Sequence, residues 1–165
     1  MQKITTFLWF DTQAEEAMSF YIDVFNNSPY SCKNSKVEAI NRYPEGGEGP
    51  MKGMDGKVLT GVFTLEGQKF MCLDGGPIFK FNESISLIVD CKDQAEIDYF
   101  WEKLSTVPES EQCGWCKDKY GLSWQITPGL EKFFDMEPAR SKKVMDVFLQ
   151  MKKIDIAKLE EAAKD

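Results

Sequence analysis

CGWCKDKYGLSWQITP, residues 113–128, is the stretch that decides the fold. Strand-forming residues lie on both sides of Asp118–Gly121, which has the composition of a tight turn. The stretch therefore predicts a short strand, a turn and a second strand that ends at Pro128. We expect this hairpin to form one wall of a pocket.

An earlier segment repeats part of this pattern. LEGQKFMCLDGG, residues 65–76, resembles KYGLSWQITPGL, residues 119–130, and the alignment places Met71 opposite Gln125. A strand–helix–strands unit that occurs twice is therefore the predicted organisation, and the fold class is α+β. The second copy is shorter, because residues 105–112 leave little room for its second strand.

Hydrophobic periodicity predicts the remaining elements. Strands are expected at residues 3–10, 35–43, 57–66, 68–74 and 83–90. A first helix is expected after Thr12, which would act as its N-cap in a capping box with Glu15, and a second around Ile97–Leu104.

The predicted domain organisation is a single domain that spans residues 1–165. Its first module covers about residues 1–77, its second about 78–130, and C-terminal helices follow at about 135–163. Glu137–Pro138 and Asp155 are typical starts for these helices. Their apolar stripes need a surface to cover, either the sheet of the same chain or that of a partner.

PEGGEGPMKGMDG, residues 44–56, is the one long Gly/Pro-rich loop. Glycine-rich loops can bind phosphate where a helix follows, but this loop carries Glu45 and Glu48 and precedes a predicted strand. We therefore interpret it as a mobile rim of the pocket.

The composition excludes several classes of partner. The 165 residues carry a net charge of −7, which disfavours nucleic acid. No segment approaches the ~20 apolar residues of a membrane helix, so no membrane partner is expected. The cysteine count of five is odd, and the chain begins directly with a strand pattern instead of a signal peptide. We expect a reduced, cytoplasmic protein.

The chain contains no histidine. The usual general base, the usual partner of a catalytic serine or cysteine, and the commonest metal ligand are therefore missing. Any mechanism has to work without them.

Four segments together resemble a known family: FLWFDTQAEEAMSFY, GQKFMCLDGGPIFKFNESIS, QCGWCKDKYGLSWQITP and FLQMKKIDIAKLEEA. They are similar to the PhnB-like branch of the glyoxalase/bleomycin-resistance/extradiol-dioxygenase superfamily, also called vicinal oxygen chelate. The resemblance implies paired βαβββ modules whose sheets curl into a cup, usually in a homodimer. Names in this branch often mention demethylubiquinone methyltransferase. However, no glycine-rich turn here follows a strand and opens a helix, as a methyl-donor nucleotide site normally requires.

The resemblance also implies site positions. Metal-dependent members draw one ligand from the first strand and one from the last strand of each module. The matching positions here are Thr6 (or Thr5, one residue away), Met71, Ser84 and Gln125. Zinc prefers His, Cys or carboxylate ligands, so we expect neither a metal nor another cofactor. Ile78 stands where relatives have histidine in GGPHFKFN, and no activity based on that histidine is expected.

The expected pocket lining follows from strand alternation. If Gln125 faces the cup, Ser123 faces it too, whereas Trp124 and Ile126 face the helices. The full set of expected pocket residues is Thr6, Trp9, Met71, Ser84, Ser86, Trp115, Ser123 and Gln125. Such a lining would bind an uncharged or weakly polar small molecule. The alternative is a narrow, filled cup in which these groups pair with one another and with water.

Two other candidate sites are weaker. Cys113 and Cys116 form a CxxC motif, but the predicted hairpin offers no helix N-terminus to activate a thiol, so buried, inert thiols are expected. Asp74 and Glu83 end one strand and start the next and could act as acid and base, although surface charge is the alternative that we favour.

Two functional hypotheses remain. The first is a metal-independent protein that binds a small molecule without turnover. The second is an enzyme of the superfamily, with Gln125 and hydroxyl groups polarising a small oxygenated substrate and a carboxylate as base. In both cases a homodimer is expected.

Overall fold

The computed structural model describes residues 3–164 and divides the chain into two compact units, Met1–Phe81 and Asn82–Asp165. The first unit contains the following elements: β1 (Thr6–Phe10), α1 (Ala14–Asn26), β2 (Lys36–Arg42), β3 (Val58–Leu65) and β4 (Gln68–Asp74). Its four strands form a sheet in the order β1-β4-β3-β2, with β1 parallel to β4 and the other pairs antiparallel. This is the predicted βαβββ module.

Helix α1 covers one face of this sheet. Its buried residues, among them Met18 and Tyr21, recur at helical spacing, as predicted. Alternate residues of the strands, such as Phe63 and Phe70, are buried on the same side. Gly61 makes close approach possible, since a Cβ there would lie 2.7 Å from the Met18 sulfur. The first core therefore lies between α1 and this face.

The predicted cap of α1 is wrong. The helix starts one residue later than expected. Gln13 is in the N-cap position, and its side chain makes no capping hydrogen bond. Instead, Asp74 at the end of β4 accepts a hydrogen bond from the Ala14 amide, with an Oδ1–N distance of 2.8 Å. A carboxylate distant in sequence thus replaces Thr12.

The Gly/Pro-rich loop is closed at its base by backbone hydrogen bonds. The Tyr43 amide donates to the Lys57 carbonyl and the Gly56 amide to the Tyr43 carbonyl. A short 3₁₀ helix, Gly49–Met51, lies within it, and β3 follows directly. The loop therefore does not lead into a helix N-terminus.

The second unit contains the following elements: β5 (Leu87–Asp90), α2 (Gln94–Leu104), β6 (Trp115–Lys117), β7 (Ser123–Thr127), α3 (Glu131–Phe134), α4 (Pro138–Phe148) and α5 (Ile156–Ala162). Its strands form a sheet in the order β5-β7-β6, with β5 parallel and β6 antiparallel to β7. A 3₁₀ turn at Pro108–Ser110 lies where the first unit has β2. The second copy thus lacks a strand here, as expected from the short segment of residues 105–112.

The hairpin of residues 113–128 forms as predicted. The Gly121 amide donates to the Asp118 carbonyl across the turn, at an N–O distance of 2.9 Å. Asp118 also accepts a hydrogen bond from the indole of Trp124 at 2.8 Å, and both residues are buried. Trp124 and Ile126 lie on the face covered by α2, together with the buried Phe100.

The C-terminal helices pack on the second unit of the same chain. Glu137 and Asp155 cap α4 and α5 through their side chains, as predicted. Gln94 of α2 donates to the Ile154 carbonyl and accepts from the Ile156 amide, at 3.0 and 2.9 Å. Val144 and Leu159, which belong to the apolar stripes of α4 and α5, are fully buried. Among residues 3–164, every helix is too short or too polar to span a bilayer.

Candidate functional site

Each sheet has one face that its helices do not cover. In the first unit this face carries Trp9 and Met71, whose neighbours on the adjacent strands include Phe7 and Val62. Phe7 is 49% exposed. The face is mostly apolar and offers contact area to an apolar group.

Thr6 does not share this face. It pairs with Phe70 in the parallel register, and Phe70 is buried on the side of α1. Met71 pairs instead with Phe7 on the open face. Because side chains alternate along a strand, Thr5 shares this face with Phe7 and Thr6 does not. The prediction for Thr6 was off by one residue, and the neighbouring alternative agrees with the register.

Trp9 has structural contacts on this face. Its indole nitrogen donates to the Gly76 carbonyl at 2.9 Å, and its ring packs edge-to-face on Phe79 with centroids 4.9 Å apart. A Cβ added to Gly75 would lie 2.2 Å from the Trp9 ring. Trp9 therefore holds the segment that follows β4.

The open face of the second sheet brings together Ser86, Trp115, Ser123 and Gln125. Trp115 and Ile88 lie on either side of Gln125 in the strand register, which forms one row across the sheet. The Gln125 amide nitrogen donates to the Ser86 hydroxyl oxygen at 2.8 Å. Side chains that were predicted separately thus form one polar surface with an aromatic and an aliphatic neighbour.

Ser123 lies in the next row and is only 1% exposed. Its hydroxyl oxygen has no hydrogen-bond partner among the described residues. Buried hydroxyl groups are normally paired, so this oxygen is an exception, and its burial keeps it out of reach of a molecule on the open part of the face.

Ser84 does not join the face. The strand was predicted from residue 83, but β5 begins at Leu87. The amide and hydroxyl of Ser84 both donate to the Asn82 side chain, and Ser84 is exposed. This local turn competes with strand pairing.

Lys117 was missed by the analysis of the sequence. It pairs with Ser123 on the same face, and its side chain is only 19% exposed. Its ammonium group contacts the carboxylate of Glu83, whose side chain is 59% exposed. The hydrogen bond from Lys117 holds the pKa of Glu83 below its ordinary value. Strand alternation from Ser123 across the hairpin would have placed Lys117 here.

The proposed acid and base have other partners. Asp74, predicted to be surface charge, is 2% exposed and accepts from the amides of Ala14 and Val58 at 2.8 and 2.9 Å. It holds α1 and β3 against β4. Glu83 pairs with Lys117 as described above. Asp74 is therefore a structural carboxylate.

Of the two cysteines in the CxxC motif, Cys116 has the properties of an inert thiol, whereas Cys113 is half-buried and not fully buried as expected. Cys116 is buried, and desolvation raises the pKa of its thiol to about 12. A reactive CxxC motif needs a lowered thiol pKa. Within residues 3–164, no group of three or more histidine, cysteine, aspartate or glutamate side chains is placed to hold a metal ion.

The glycine pair Gly75–Gly76 follows β4 and leads into Pro77 without opening a helix, since the next described helix is α2. A nucleotide-binding turn needs a helix N-terminus beside the glycines. These glycines instead accommodate Trp9.

A family model described as 3-demethylubiquinone-9 3-methyltransferase matches residues 2–127. The chain belongs to this family. Among solved structures, the PhnB protein from Bacillus cereus, itself described as a 3-demethylubiquinone-9 3-methyltransferase, shares 41% identity with this PhnB-like chain. The match covers 76% of this chain and 98% of that chain, with a TM-score of 0.61. The fold is therefore the α+β fold of the PhnB-like, glyoxalase-type proteins.

A second solved structure supports the fold. Protein PA1353 from Pseudomonas aeruginosa matches 77% of this PhnB-like chain and 97% of its own length, at 15% identity and a TM-score of 0.56. A protein from Staphylococcus aureus is 30% identical over 78% of this chain and 97% of its own, with a TM-score of 0.34, and is similar in sequence only. None of the curated proteins matches the chain.

Proposed function

We propose that this PhnB-like protein is a metal-independent small-molecule binding protein of the vicinal oxygen chelate superfamily. The observation that carries the proposal is the open face of the second sheet, where the half-buried Ser86 and Gln125 lie beside Trp115. The accessible part of this face includes the row of Ile88, which is 64% exposed, and Lys117, whose side chain is 19% exposed, whereas the Ser123 hydroxyl is buried. The site residues are thereby assigned to binding.

Methyl transfer, the activity named in the family's description, is the second candidate. The family match itself favours it. Against it, Gly75 and Gly76 pack with Trp9 and do not open a helix. A methyl donor nucleotide would need another binding mode on this chain.

The test is a fragment screen by ligand-observed NMR on the wild type, Gln125→Ala and Gln68→Ala. Gln68 is exposed at the start of β4, outside the proposed site, and serves as the matched control. We expect saturable binding that Gln125→Ala weakens by about five-fold or more, the loss of one hydrogen bond, and that Gln68→Ala leaves unchanged. Bound fragments should remain chemically intact.

Three results would contradict this proposal. Equal affinities for wild type and Gln125→Ala would place binding elsewhere, and a screen without any saturable fragment would remove the binding function. Stoichiometric metal in protein purified without chelators would refute metal independence. Saturable binding of S-adenosylmethionine would favour methyl transfer instead.

A further inference from the structure

Lys117 gives the open face of the second sheet a positive charge. It is the one cation that β5, β6 and β7 place on this face within the described chain. Its side chain is 19% exposed, and the side chain of its partner Glu83 is 59% exposed. An exposed carboxylate that pairs with a lysine contributes little stability, so another carboxylate can replace it at small cost.

Hydrogen-bond donors collect around this charge. Ser123 pairs with Lys117 in the register, but its hydroxyl is buried and out of reach of a ligand on this face. Ser86 accepts from Gln125, which leaves its own hydroxyl hydrogen available to donate. The Lys117 ammonium and the Ser86 hydroxyl are therefore the accessible donors of this face, and each can donate to an oxygen of a carboxylate.

The neighbouring row supplies apolar contact. Trp115 and Ile88 lie on either side of Gln125, and Ile88 is 64% exposed. Asp90 pairs with Thr127 at the far end of the face, away from Lys117. Its negative charge disfavours a second acidic group there, so the ligand's acid belongs at the Lys117 end and its apolar body over the middle row.

We propose that this face binds a small molecule with one carboxylate and an aromatic or aliphatic body, and that Glu83 occupies Lys117 until the ligand carboxylate displaces it. The inference rests on the proposed function and names the ligand class of the same site. It replaces the expectation of an uncharged ligand, which was made without Lys117.

Matched acid–amide pairs test this inference. The probes are phenylacetate with phenylacetamide and indole-3-acetate with indole-3-acetamide, and their dissociation constants are measured by ligand-observed NMR. We expect each acid to bind the wild type more tightly than its amide. Lys117→Met should weaken acid binding by about ten-fold or more and leave amide binding within about two-fold, because a charge-assisted hydrogen bond is lost.

Glu83→Gln is the more specific variant. It removes the internal competitor, so acid binding should tighten by about two- to five-fold while amide binding stays unchanged. Because Glu83 is largely exposed, this variant is expected to fold even if Lys117→Met does not. Lys142→Met and Asp146→Asn, which alter an exposed pair on α4, are the controls and should leave both affinities unchanged.

The outcomes separate the two proposals. If the amides bind and lose affinity in Gln125→Ala but the acids bind no more tightly, the carboxylate inference is wrong and the binding function stands. If Glu83→Gln weakens the acids, the displacement of Glu83 is refuted. If neither acids nor amides bind and the fragment screen is also empty, both proposals fail.

Discussion

Asp74 is the residue whose role differs most from its expected one. Its two carboxylate oxygens accept from amides of α1 and β3, and its backbone carbonyl accepts from the Tyr43 hydroxyl at 3.0 Å. A buried carboxylate satisfied in this way joins three parts of the first unit. It is a structural centre and is not available as an acid or base.

The first prediction concerns this carboxylate. Asp74→Asn replaces one acceptor oxygen with a donor that faces an amide N–H, so a buried donor loses its partner. We expect the free energy of unfolding to fall by about 2–3 kcal/mol in urea titrations. Asp11→Asn, an exposed residue near the same helix, is the control and should change it by less than about 0.5 kcal/mol. Equal effects of the two variants would show that Asp74 does not support α1.

The second prediction concerns thiol reactivity. Cys32 is exposed, whereas Cys72, Cys91 and Cys116 are buried. Desolvation raises the pKa of Cys72 and Cys116 to about 12 and raises that of Cys91 as well. The raised pKa keeps the Cys116 thiol protonated at pH 8, and the thiolate is the reactive form.

Iodoacetamide at pH 8 should therefore modify Cys32 within minutes and leave the three buried thiols unmodified until the protein is denatured. Peptide mass spectrometry after timed alkylation measures this difference. Rapid labelling of Cys116 in the native protein would contradict its burial and would indicate that the CxxC motif is a reactive site.

At the scale of elements, Gln94 connects the C-terminal helices to α2. Its side-chain amide bonds the chain on both sides of Asp155, just where α5 begins. The amides of Cys113 and Gly114 also donate to the carbonyls of Met151 and Lys152, which joins the hairpin to the same segment. The apolar stripes are thus buried in cis.

The third prediction tests this connection. Gln94→Ala removes three hydrogen bonds, two of them to the C-terminal segment. It should lower the free energy of unfolding by about 1–2 kcal/mol and increase proteolysis within residues 149–156. Gln94→Glu keeps the acceptor for Ile156 but places a carboxylate against the Ile154 carbonyl and Asp98, so it should be at least as destabilising. Gln150→Ala, at an exposed site, is the control. Unchanged proteolysis in both Gln94 variants would refute the connection.

At the scale of the whole molecule, the burial of the C-terminal stripes removes one reason for dimerisation. Exposed apolar residues remain in both units, including Phe7, Phe79 and Ile85 at 49%, 63% and 69% exposure. Apolar area of this kind is favoured at interfaces between subunits. We therefore still propose a homodimer, but based on other residues than the C-terminal helices.

The fourth prediction is the oligomeric state. Sedimentation equilibrium should give twice the mass of one chain, and Phe79→Ser should shift the equilibrium toward the monomer by about ten-fold or more if its side chain is buried between subunits. Lys80→Ser, at the exposed next position, is the control. A monomeric mass at high protein concentration would refute the homodimer.

The local pattern of the chain determined its elements. Alternation and helical spacing depend on neighbours within a few residues, so the strands, the hairpin at Asp118–Gly121 and the caps at Glu137 and Asp155 could be predicted. The duplicated pattern also indicated a strand–helix–strands unit and the missing strand of the second copy, and the family resemblance implied the βαβββ module. Motifs spread along the chain were enough to indicate the PhnB-like family.

Tertiary structure decided which side chains meet. The register of β1 against β4 placed Thr6 on the covered face. The turn at Asn82 kept Ser84 out of β5, and the hairpin brought Lys117 beside Ser123. Asp74 caps a helix sixty residues away in sequence. Sequence periodicity cannot predict such contacts, because a shift of one residue reverses every side chain of a strand and because partners distant in sequence are chosen by packing.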